Sequence, residues 1–206
     1  MVIERFVTGP IEVNTYLVYD ENTKEGFIVD PGAYCPELTE KVKKEKVNIE
    51  YIILTHGHGD HIGGVEQHLM DFTDAKLVAY KDEAEMLAEP GLNLSTEVCG
   101  RPVSLSADIC VNDKDTLRVG NIELTFIHTP GHSKGGMCIY TDGHLFSGDT
   151  LFRMSIGRSD FYGGDYTTLI NSIKDRIYVF SDDTKIYPGH MGMTTVGDEK
   201  RGNPFV

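Results

Sequence analysis

The sequence predicts an α/β fold in which two β-sheets pack against each other and helices cover their outer faces. Two observations lead to this prediction. Hairpin-like strand pairs are followed by strand–helix units, and this order occurs twice along the chain. The 206 residues also contain no linker, low-complexity tract or sharp change in composition. We therefore expect both sheets to belong to one domain that spans residues 1–206.

The first half of the chain begins with a predicted β-hairpin. Apolar and polar residues alternate over 12–19, and a second apolar run follows a turn at 26–30. Two apolar residues among charged ones predict a surface helix over 36–47. The remaining predicted elements are a buried strand at 51–55, a helix at 63–70, a strand at 76–80 and a helical segment at 81–88. Residues 90–110 show no clear periodicity, and we expect a mobile loop over a site there.

The second half repeats this organisation. Gly120-Asn121 is a turn pair typical of β-hairpins, and Asp142-Gly143 is a second one. The strands that these turns join are predicted at 116–119 with 122–127 and at 137–141 with 144–148. Apolar residues at helical spacing over 166–180 predict a long helix, and a final strand is expected at 184–187.

The composition limits the partners and the compartment. A formal net charge of −13 argues against a nucleic-acid partner, because phosphate binding needs a basic surface. The four cysteines form no C-x-x-C pair, which favours free thiols in a reducing compartment. No signal-peptide pattern and no membrane-spanning apolar stretch is present. We therefore expect a cytoplasmic protein, monomeric or homodimeric, that acts on a small molecule and has no membrane partner.

The segment His56-Gly57-His58-Gly59-Asp60-His61 is the most informative feature of the chain. It directly follows the buried strand predicted at 51–55, and its glycines allow a tight turn that brings the side chains together. Imidazole and carboxylate groups suit zinc, iron or manganese. Adjacent residues such as Asp60 and His61 tend to point apart, so one loop can serve two neighbouring metal ions. The alternative is a polar loop whose histidines cap a helix, and four candidate ligands in six residues argue against it.

Three further segments have the same organisation: a strand end, a glycine-containing turn and a candidate ligand. They supply His132 in Thr129-Pro130-Gly131-His132, Asp149 in Ser147-Gly148-Asp149-Thr150 and His190 in Pro188-Gly189-His190. The other histidines are expected outside the ligand set: His68 on a helix surface, His144 exposed beside a turn, and His128 near the site in a structural or ligand-orienting role.

This ligand pattern resembles that of the metallo-β-lactamase-fold hydrolases. The match covers nearly the whole chain. It consists of the residues that flank each turn and of the ligands in the order His56-x-His58-x-Asp60-His61, His132, Asp149, His190. The resemblance implies a four-layer αββα sandwich, two mixed β-sheets flanked by helices. It also implies a centre of two divalent metal ions, with zinc expected and iron or manganese as alternatives. In the family arrangement, one ion is bound by His56, His58 and His132, the other by Asp60, His61 and His190, and Asp149 bridges them.

Within this family the chain most resembles the short glyoxalase II-like thioester hydrolases. The supporting stretches are Gly157-Arg158-Ser159-Asp160-Phe161, Gly163-Gly164-Asp165 and residues 194–205. The resemblance implies hydrolysis of S-D-lactoylglutathione or a related hydroxyacyl thioester by a hydroxide that bridges the two ions. Asp60 and Asp149 are then the catalytic carboxylates, and Asp60 can also accept or relay a proton. Arg158 matches a basic residue that contacts glutathione in the family, although an ordinary surface salt bridge is an equal alternative.

Two departures from the glyoxalase II pattern leave the substrate open. The chain stops at Val206, without the helical C-terminal domain that adds glutathione contacts in full-length members. A glutathione thioester would then be held less tightly, or another thioester is the substrate. Lys134, just after His132, replaces a commoner small or uncharged residue, and we expect it to point to solvent, with contact to an anionic substrate as the alternative. The alternative functions are a persulfide dioxygenase-like enzyme with one iron and a metallohydrolase for another ester or lactone. A β-lactamase, a nucleic-acid-processing enzyme and a non-catalytic scaffold are disfavoured.

Overall fold

The computed structural model describes all 206 residues and contains two six-stranded sheets. The first sheet holds six strands in chain order, β1 to β6: Val2–Thr8, Val13–Tyr19, Glu25–Val29, Asn48–Ile53, Lys76–Tyr80 and Ile109–Val111. Neighbouring strands are antiparallel from β1 to β3 and parallel from β3 to β6. The predicted first hairpin is therefore confirmed as β2 and β3.

The second sheet lies entirely in the second half of the chain. Its first four strands are β7 Thr116–Val119, β8 Ile122–His128, β9 Met137–Thr141 and β10 His144–Gly148. A separate ribbon of β11 Leu151–Phe152 and β12 Ser155–Ile156 follows, and β13 Lys185–Pro188 and β14 Thr194–Thr195 complete the sheet in the order β14-β13-β10-β9-β8-β7. Both hairpins predicted for this half are confirmed. Because β9 is antiparallel to β8 and β10, and β13 is parallel to β10, the strands β8, β10 and β13 run in one direction.

Eight α-helices connect and cover the sheets. They are α1 Pro36–Glu45, α2 Gly59–Ile62, α3 Val65–Asp71, α4 Ala84–Ala88, α5 Pro90–Asn93, α6 Ser95–Cys99, α7 Tyr166–Ser172 and α8 Val196–Gly202. A 3₁₀ turn at Lys81–Glu83 leads into α4, and a π-helical turn at Ile173–Ile177 extends α7. The boundaries of α1 follow from its residues: Pro36 occupies the first turn, and Lys46 ends the helix in the left-handed region at φ +56°.

The apolar core forms one layer between the two sheets and one on the outer face of each. The strand β2 shows how these layers arise, because successive residues of a strand face opposite sides. Tyr16 and Val18 point between the sheets, whereas Leu17 and Tyr19 point to the outer face, where α1 packs. On the far side, α7 and the π-helical turn cover the second sheet. The four-layer αββα sandwich expected from the sequence is thereby confirmed.

Residues 90–99 were wrongly predicted as part of a loop without regular structure. They form α5 and α6, and Asn93 at the end of α5 is fully buried. Its side-chain amide donates hydrogen bonds to the carbonyls of Met86, at 3.1 Å, and Val103, at 2.9 Å. Helices of four or five residues are too short to show the helical periodicity on which the prediction relied.

Two histidine predictions also need correction. His68 is completely buried rather than on the surface, and its Nε2 accepts a hydrogen bond from the Cys35 amide at 3.3 Å. His144 is half-buried rather than exposed, and its Nδ1 is hydrogen-bonded to the Tyr187 hydroxyl at 2.9 Å. In both cases the burying partner is distant in sequence, so the local pattern carried no sign of it. The elements β1, β6, β11, β12, β14, α2 and α8 were not predicted.

None of the helices has the length and apolar composition that crossing a membrane would require.

Candidate metal centre

The predicted ligands lie just beyond strand ends, at one edge of the sandwich. In the first sheet, β4 leads into the His56–His61 segment. In the second sheet, β8, β10 and β13 run in the same direction and are followed by His132, Asp149 and His190. Strands that run in one direction end at the same edge of their sheet, which brings the three turns together. The amide of Met137 donates to the Thr55 carbonyl at 2.9 Å and joins the two sheets next to the site.

His56, His58 and His132 form the first ligand group, and all three are buried. His132 Nε2 lies 2.9 Å from His58 Nδ1 and 3.2 Å from His56 Nε2. The three nitrogens therefore converge on one point. Three imidazole nitrogens in this arrangement suit a metal ion that keeps one coordination position open.

Asp60, His61, Asp149 and His190 form the second group. His190 Nε2 lies 3.2 Å from Asp60 Oδ2, and His61 Nε2 lies 3.3 Å from Asp149 Oδ1. Asp149 Oδ2 lies 3.6 Å from His190 Nε2 and 3.6 Å from His132 Nε2. Asp149 is thus positioned between the two groups, as a bridging carboxylate would be.

Hydrogen bonds on the outer sides of the imidazoles leave their inner nitrogens available to a metal. His132 Nδ1 donates to the carbonyl of Arg158 at 2.6 Å. His61 Nδ1 donates to Asp30 Oδ2 at 2.9 Å. Since a neutral imidazole carries one N–H, the Nε2 atom of each of these rings then holds a lone pair that points into the site.

Two buried atoms at the centre, His61 Nε2 and Asp149 Oδ1, have no hydrogen-bond partner. Buried polar atoms are nearly always paired. When His61 is neutral and carries its N–H on Nδ1, these two atoms are facing acceptors, and a proton or a metal cation is the partner that they require. The donor set of five imidazoles and two carboxylates suits zinc, iron or manganese, so the residues fit a divalent metal ion in each group.

Burial and close packing shift the ionisation of the ligands. Burial, followed by repulsion from His132, lowers the pKa of His58 to about 3. Burial and neighbouring imidazoles lower the pKa of His56 well below its ordinary value. Burial opposes the charge of Asp149, but the attraction of His61 prevails and lowers the pKa of that carboxyl. Burial likewise opposes protonation of His61, yet the carboxylates around it raise its pKa well above the ordinary value, so a bound metal ion would displace a proton there.

Asp30 is a buried supporting residue that the sequence analysis did not single out. Its Oδ1 accepts from the Thr55 amide at 2.8 Å, and its Oδ2 accepts from the Thr55 hydroxyl at 2.6 Å and from His61 Nδ1 at 2.9 Å. The Thr55 oxygen is in turn 3.2 Å from His56 Nδ1. One carboxylate therefore orients His61 directly and His56 through Thr55. The sequence did contain a signal for this role: Asp30 follows β3 and precedes the turn Pro31-Gly32, as the candidate ligands also follow strands.

The turn that carries His190 is held by the first sheet. Asn14 Nδ2 donates to the carbonyls of Pro188 and Met191, both at 2.9 Å, and the Asn14 amide donates to the Gly189 carbonyl at 2.7 Å. Glycine is required at position 189, because a Cβ there would lie 2.2 Å from Oδ1 of Asp149. The second ligand group thus depends on contacts between the two sheets.

A cleft of 380 Å³ opens onto the ligands. Its walls beyond the ligands are mostly apolar: Ile11, Leu94, Val98, Phe152, Ile156, Phe161 and Met191, with Ser155 and Arg158 as the polar members. A larger groove of 480 Å³ around Asp20 and Asn121 contains none of the predicted site residues. Leu94 and Val98, in the segment where a loop over the site was expected, are part of the cleft wall.

Arg158 is part of the cleft wall, but its guanidinium already has partners. Its Nε and Nη2 donate to the two carboxylate oxygens of Asp160 at 2.9 and 2.7 Å. The guanidinium also lies over the Phe161 ring, 4.1 Å from the centroid. The surface salt bridge that the sequence left open is therefore present, at the rim of the cleft.

His128 and Lys134 lie next to the first group without joining it. His128 stacks on Tyr80 with the ring centroids 4.2 Å apart, and its Nε2 is 3.1 Å from the Lys134 carbonyl. These contacts agree with the structural role predicted for His128. The Lys134 side chain is exposed, as predicted.

A family comparison agrees with this geometry: the Metallo-beta-lactamase superfamily profile matches residues 8–190. The chain belongs to the metallo-β-lactamase superfamily. The hydroxyacylglutathione hydrolase GloC of Haemophilus influenzae is 32% identical to it over 100% of this chain and 98% of that protein. The superfamily consists of metal-dependent hydrolases, and the two clusters of histidine and aspartate in this chain agree with a divalent metal cofactor.

Two crystal structures of superfamily proteins extend the similarity. The B3 metallo-β-lactamase BLEG-1 has a TM-score of 0.92 and 37% identity, covering 99% of both chains. The protein TTHA1623, in a di-iron-bound form, has a TM-score of 0.85 and 29% identity, covering 98% of this chain and 100% of that chain. Both structures share the fold of this chain, and the di-iron form of TTHA1623 agrees with a divalent metal cofactor here. The names of GloC and BLEG-1 point to different substrates, a hydroxyacylglutathione and a β-lactam.

Proposed function

We propose that this protein hydrolyses thioesters with the help of two divalent metal ions, and that S-D-lactoylglutathione or a related hydroxyacyl thioester is the substrate. The observation that carries the proposal is the position of Asp149, 3.6 Å from a ligand atom of each group. A carboxylate between two ligand groups suits a pair of ions, whereas a single catalytic ion needs only three protein ligands. The 32% identity with a hydroxyacylglutathione hydrolase supports the thioester class.

Each predicted ligand has a role in this proposal. We assign His56, His58 and His132 to one ion, Asp60, His61 and His190 to the other, and Asp149 to both. Zinc is the metal we propose, with iron or manganese as alternatives, and the di-iron form of TTHA1623 makes iron a specific candidate. Ions bound in this way lower the pKa of a water molecule and polarise a substrate carbonyl.

Asp60 is the carboxylate placed to move a proton. It lines the cleft and has its Oδ2 3.2 Å from His190 Nε2. In this position it accepts a hydrogen bond from a water molecule at the inner end of the cleft and takes its proton as that water attacks. Hydrolysis breaks the bond between the acyl carbon and sulfur: the carbon gains the hydroxyl oxygen, and the departing thiolate gains a proton.

The cleft provides two further interactions with a thioester. Its apolar walls, including Phe161 and Ile156, pack against carbon chains and keep water away from the acyl group. The guanidinium of Arg158 at the rim can pair with a carboxylate of the thiol part. We therefore propose that the acyl group enters first and that the thiol part extends along the rim.

The proposal is tested by the initial rate of S-D-lactoylglutathione hydrolysis, measured on metal-loaded and chelator-stripped protein. We expect a kcat/KM of about 10⁴ M⁻¹s⁻¹ or more that is lost on stripping. Asp149→Asn should lose activity and bound metal together, whereas Asp142→Asn, an exposed carboxylate in a distant turn, should change neither. Normal turnover and full metal content in Asp149→Asn would refute the bridged centre. Full metal content with a negligible rate would exclude this substrate and leave the centre in place.

Hydrolysis of a β-lactam ring is a second candidate, because the B3 metallo-β-lactamase BLEG-1 is 37% identical to this chain. A chromogenic cephalosporin tested in parallel separates the two. We expect its kcat/KM to be at least tenfold lower than that of the thioester, and the reverse order would make the lactam the preferred substrate class.

We further propose that the protein acts in the cytoplasm, as a monomer or homodimer, on a small molecule and without a nucleic-acid partner. All four cysteines are free, which supports a reducing compartment. The formal charge of −13 supports the exclusion of nucleic acid.

A further inference from the structure

Glu83 is a buried carboxylate that belongs to neither ligand group. It lies in the 3₁₀ turn after β5 and is 1% exposed. Its Oε2 accepts a hydrogen bond from the Gly57 amide at 2.8 Å. Its Oε1 accepts from the Ser133 hydroxyl at 2.6 Å and from the Gly135 amide at 2.7 Å. Both oxygens are therefore occupied, and all three partners are donors.

The three donors belong to the two loops that supply the first ligand group. Gly57 is the residue between the ligands His56 and His58, and Ser133 directly follows the ligand His132. These loops are far apart in sequence and come from different sheets. One oxygen of Glu83 holds the first loop, and the other oxygen holds the second, so a single side chain joins them.

The backbone of each loop comes close to Glu83 at a glycine. A Cβ at position 135 would lie 2.7 Å from the Glu83 amide nitrogen, and a Cβ at position 57 would lie 3.0 Å from Glu83 Oε2. Glycine at both positions therefore allows the two loops to sit directly on Glu83. The second ligand group has a different support, since Asp30 orients His61 and Asn14 holds the turn of His190.

We propose that Glu83 is a positioning residue for the first metal site, which sets the distance between His132 and the pair His56 and His58. Its charge also offsets part of the charge of an ion bound by three neutral imidazoles, without touching the ion. The inference rests on the proposed metal centre and does not depend on the thioester substrate.

The test measures the zinc affinity of each site separately, without substrate. Glu83→Gln keeps the size of the side chain but has only one acceptor oxygen. Its NH₂ group is a donor and cannot accept a hydrogen bond from the other loop. The substitution is made in two backgrounds. His190→Ala removes a ligand of the second group and keeps the first, whereas His58→Ala removes a ligand of the first group and keeps the second. Zinc affinity is measured by chelator competition, and the absorption spectrum of bound cobalt reports the ligand geometry.

We expect Glu83→Gln to weaken zinc binding by about 10–100-fold in the His190→Ala background. In the His58→Ala background the change should be less than threefold. The cobalt spectrum should change in the first case only. Glu85→Gln is the matched control, because it makes the same chemical change at an exposed carboxylate in α4, two residues away. It should change the zinc affinity by less than threefold in either background.

Three outcomes would overturn the inference. Unchanged zinc affinity and an unchanged cobalt spectrum in the His190→Ala background would show that Glu83 does not set the site. Equal weakening in both backgrounds, with a lower melting temperature, would show a general structural role. If Glu83→Gln does not fold, Glu83→Asp takes its place in the test. This variant keeps the charge, but its side chain is one methylene too short to reach both loops. If Glu83→Asp folds and both sites keep their affinity, the inference is wrong.

Discussion

At the scale of single residues, the hydrogen bonds of a buried carboxylate distinguish a supporting role from a ligand role. Asp30 and Glu83 have both oxygens occupied by donors from the protein. Asp149 instead keeps Oδ1 without a hydrogen-bond partner, although this residue is buried as well. A carboxylate that the protein leaves unpaired in its interior points to a partner of another kind, and here the imidazoles around it indicate a cation.

The ion pair between Arg158 and Asp160 leads to a prediction about substrate charge. Arg158→Ala should raise the KM for a glutathione thioester while sparing kcat on a small neutral thioester, because it removes a charge that pairs with a carboxylate. Asp160→Ala should have the opposite effect on the glutathione thioester and lower its KM, since the guanidinium loses a competing bidentate partner. Steady-state kinetics on both substrates check this.

The comparison between the two substrates is also the control. Equal effects of Arg158→Ala on the charged and the neutral thioester would argue against an anion-binding role. An unchanged KM in Asp160→Ala would show that the guanidinium does not reach the substrate.

At the scale of elements, the site depends on turns that come unusually close to their neighbours. The turn before His132 packs on α7: the Gly131 carbonyl accepts from the Asp165 amide at 2.9 Å, and the Ser172 hydroxyl donates to the Pro130 carbonyl at 2.7 Å. Gly131 has a φ of +126°, and a Cβ there would lie 2.3 Å from the amide nitrogen of Leu169. Glycine is therefore required by both the backbone conformation and the space.

Gly131→Ala should destabilise the protein by at least about 2 kcal/mol, because it adds backbone strain to overpacking against α7. Metal affinity should fall as well, since His132 is the next residue. Gly91→Ala is the matched control: it lies in α5 with no atom within 4 Å of the added Cβ, so its free energy of unfolding should be unchanged or slightly higher. Denaturant titration measures both variants, and equal midpoints for Gly131→Ala and the unmodified protein would contradict the packing argument.

At the scale of the whole molecule, the site joins the two sheets. The first sheet supplies the segment from His56 to His61, and the second supplies His132, Asp149 and His190. Each ligand group in the proposed centre contains side chains from both sheets. A bound ion therefore links the two halves of the sandwich in addition to the apolar layer between them.

Metal removal should lower the thermal stability of the entire fold. At a free metal concentration of 100 times Kd, binding to one site adds about 2.7 kcal/mol to the free energy of unfolding. For a chain of this size that corresponds to a rise in Tm of about 5–10 °C. Calorimetry on stripped and zinc-loaded protein measures the difference, and magnesium, which prefers oxygen ligands, serves as the control that should produce no shift. Equal Tm values for stripped and zinc-loaded protein would contradict a metal centre that joins the sheets.

The sequence by itself determined the family pattern, the two-sheet architecture and most of the strand boundaries. The alternation of apolar and polar residues along β2 and β3 is a local property of the sequence, and so is the spacing of candidate ligands from His56 to His61. Strand ends followed by glycine turns also marked His132, Asp149 and His190 as candidate ligands. The predicted strands and hairpins are confirmed, because side-chain period and turn chemistry act over a few residues.

Only the tertiary structure decided which side chains support the ligands and which histidines are buried. Glu83 contacts Gly57 and Gly135, which are 26 and 52 residues away, and Asp30 contacts His61 across 31 residues. His68 is buried through Cys35, 33 residues distant. Contacts over such separations leave no periodic trace in one sequence, because they depend on how the loops of both sheets pack at one edge. The candidate ligands can therefore be recognised in the sequence, whereas the groups that hold them in place can be recognised only in the fold.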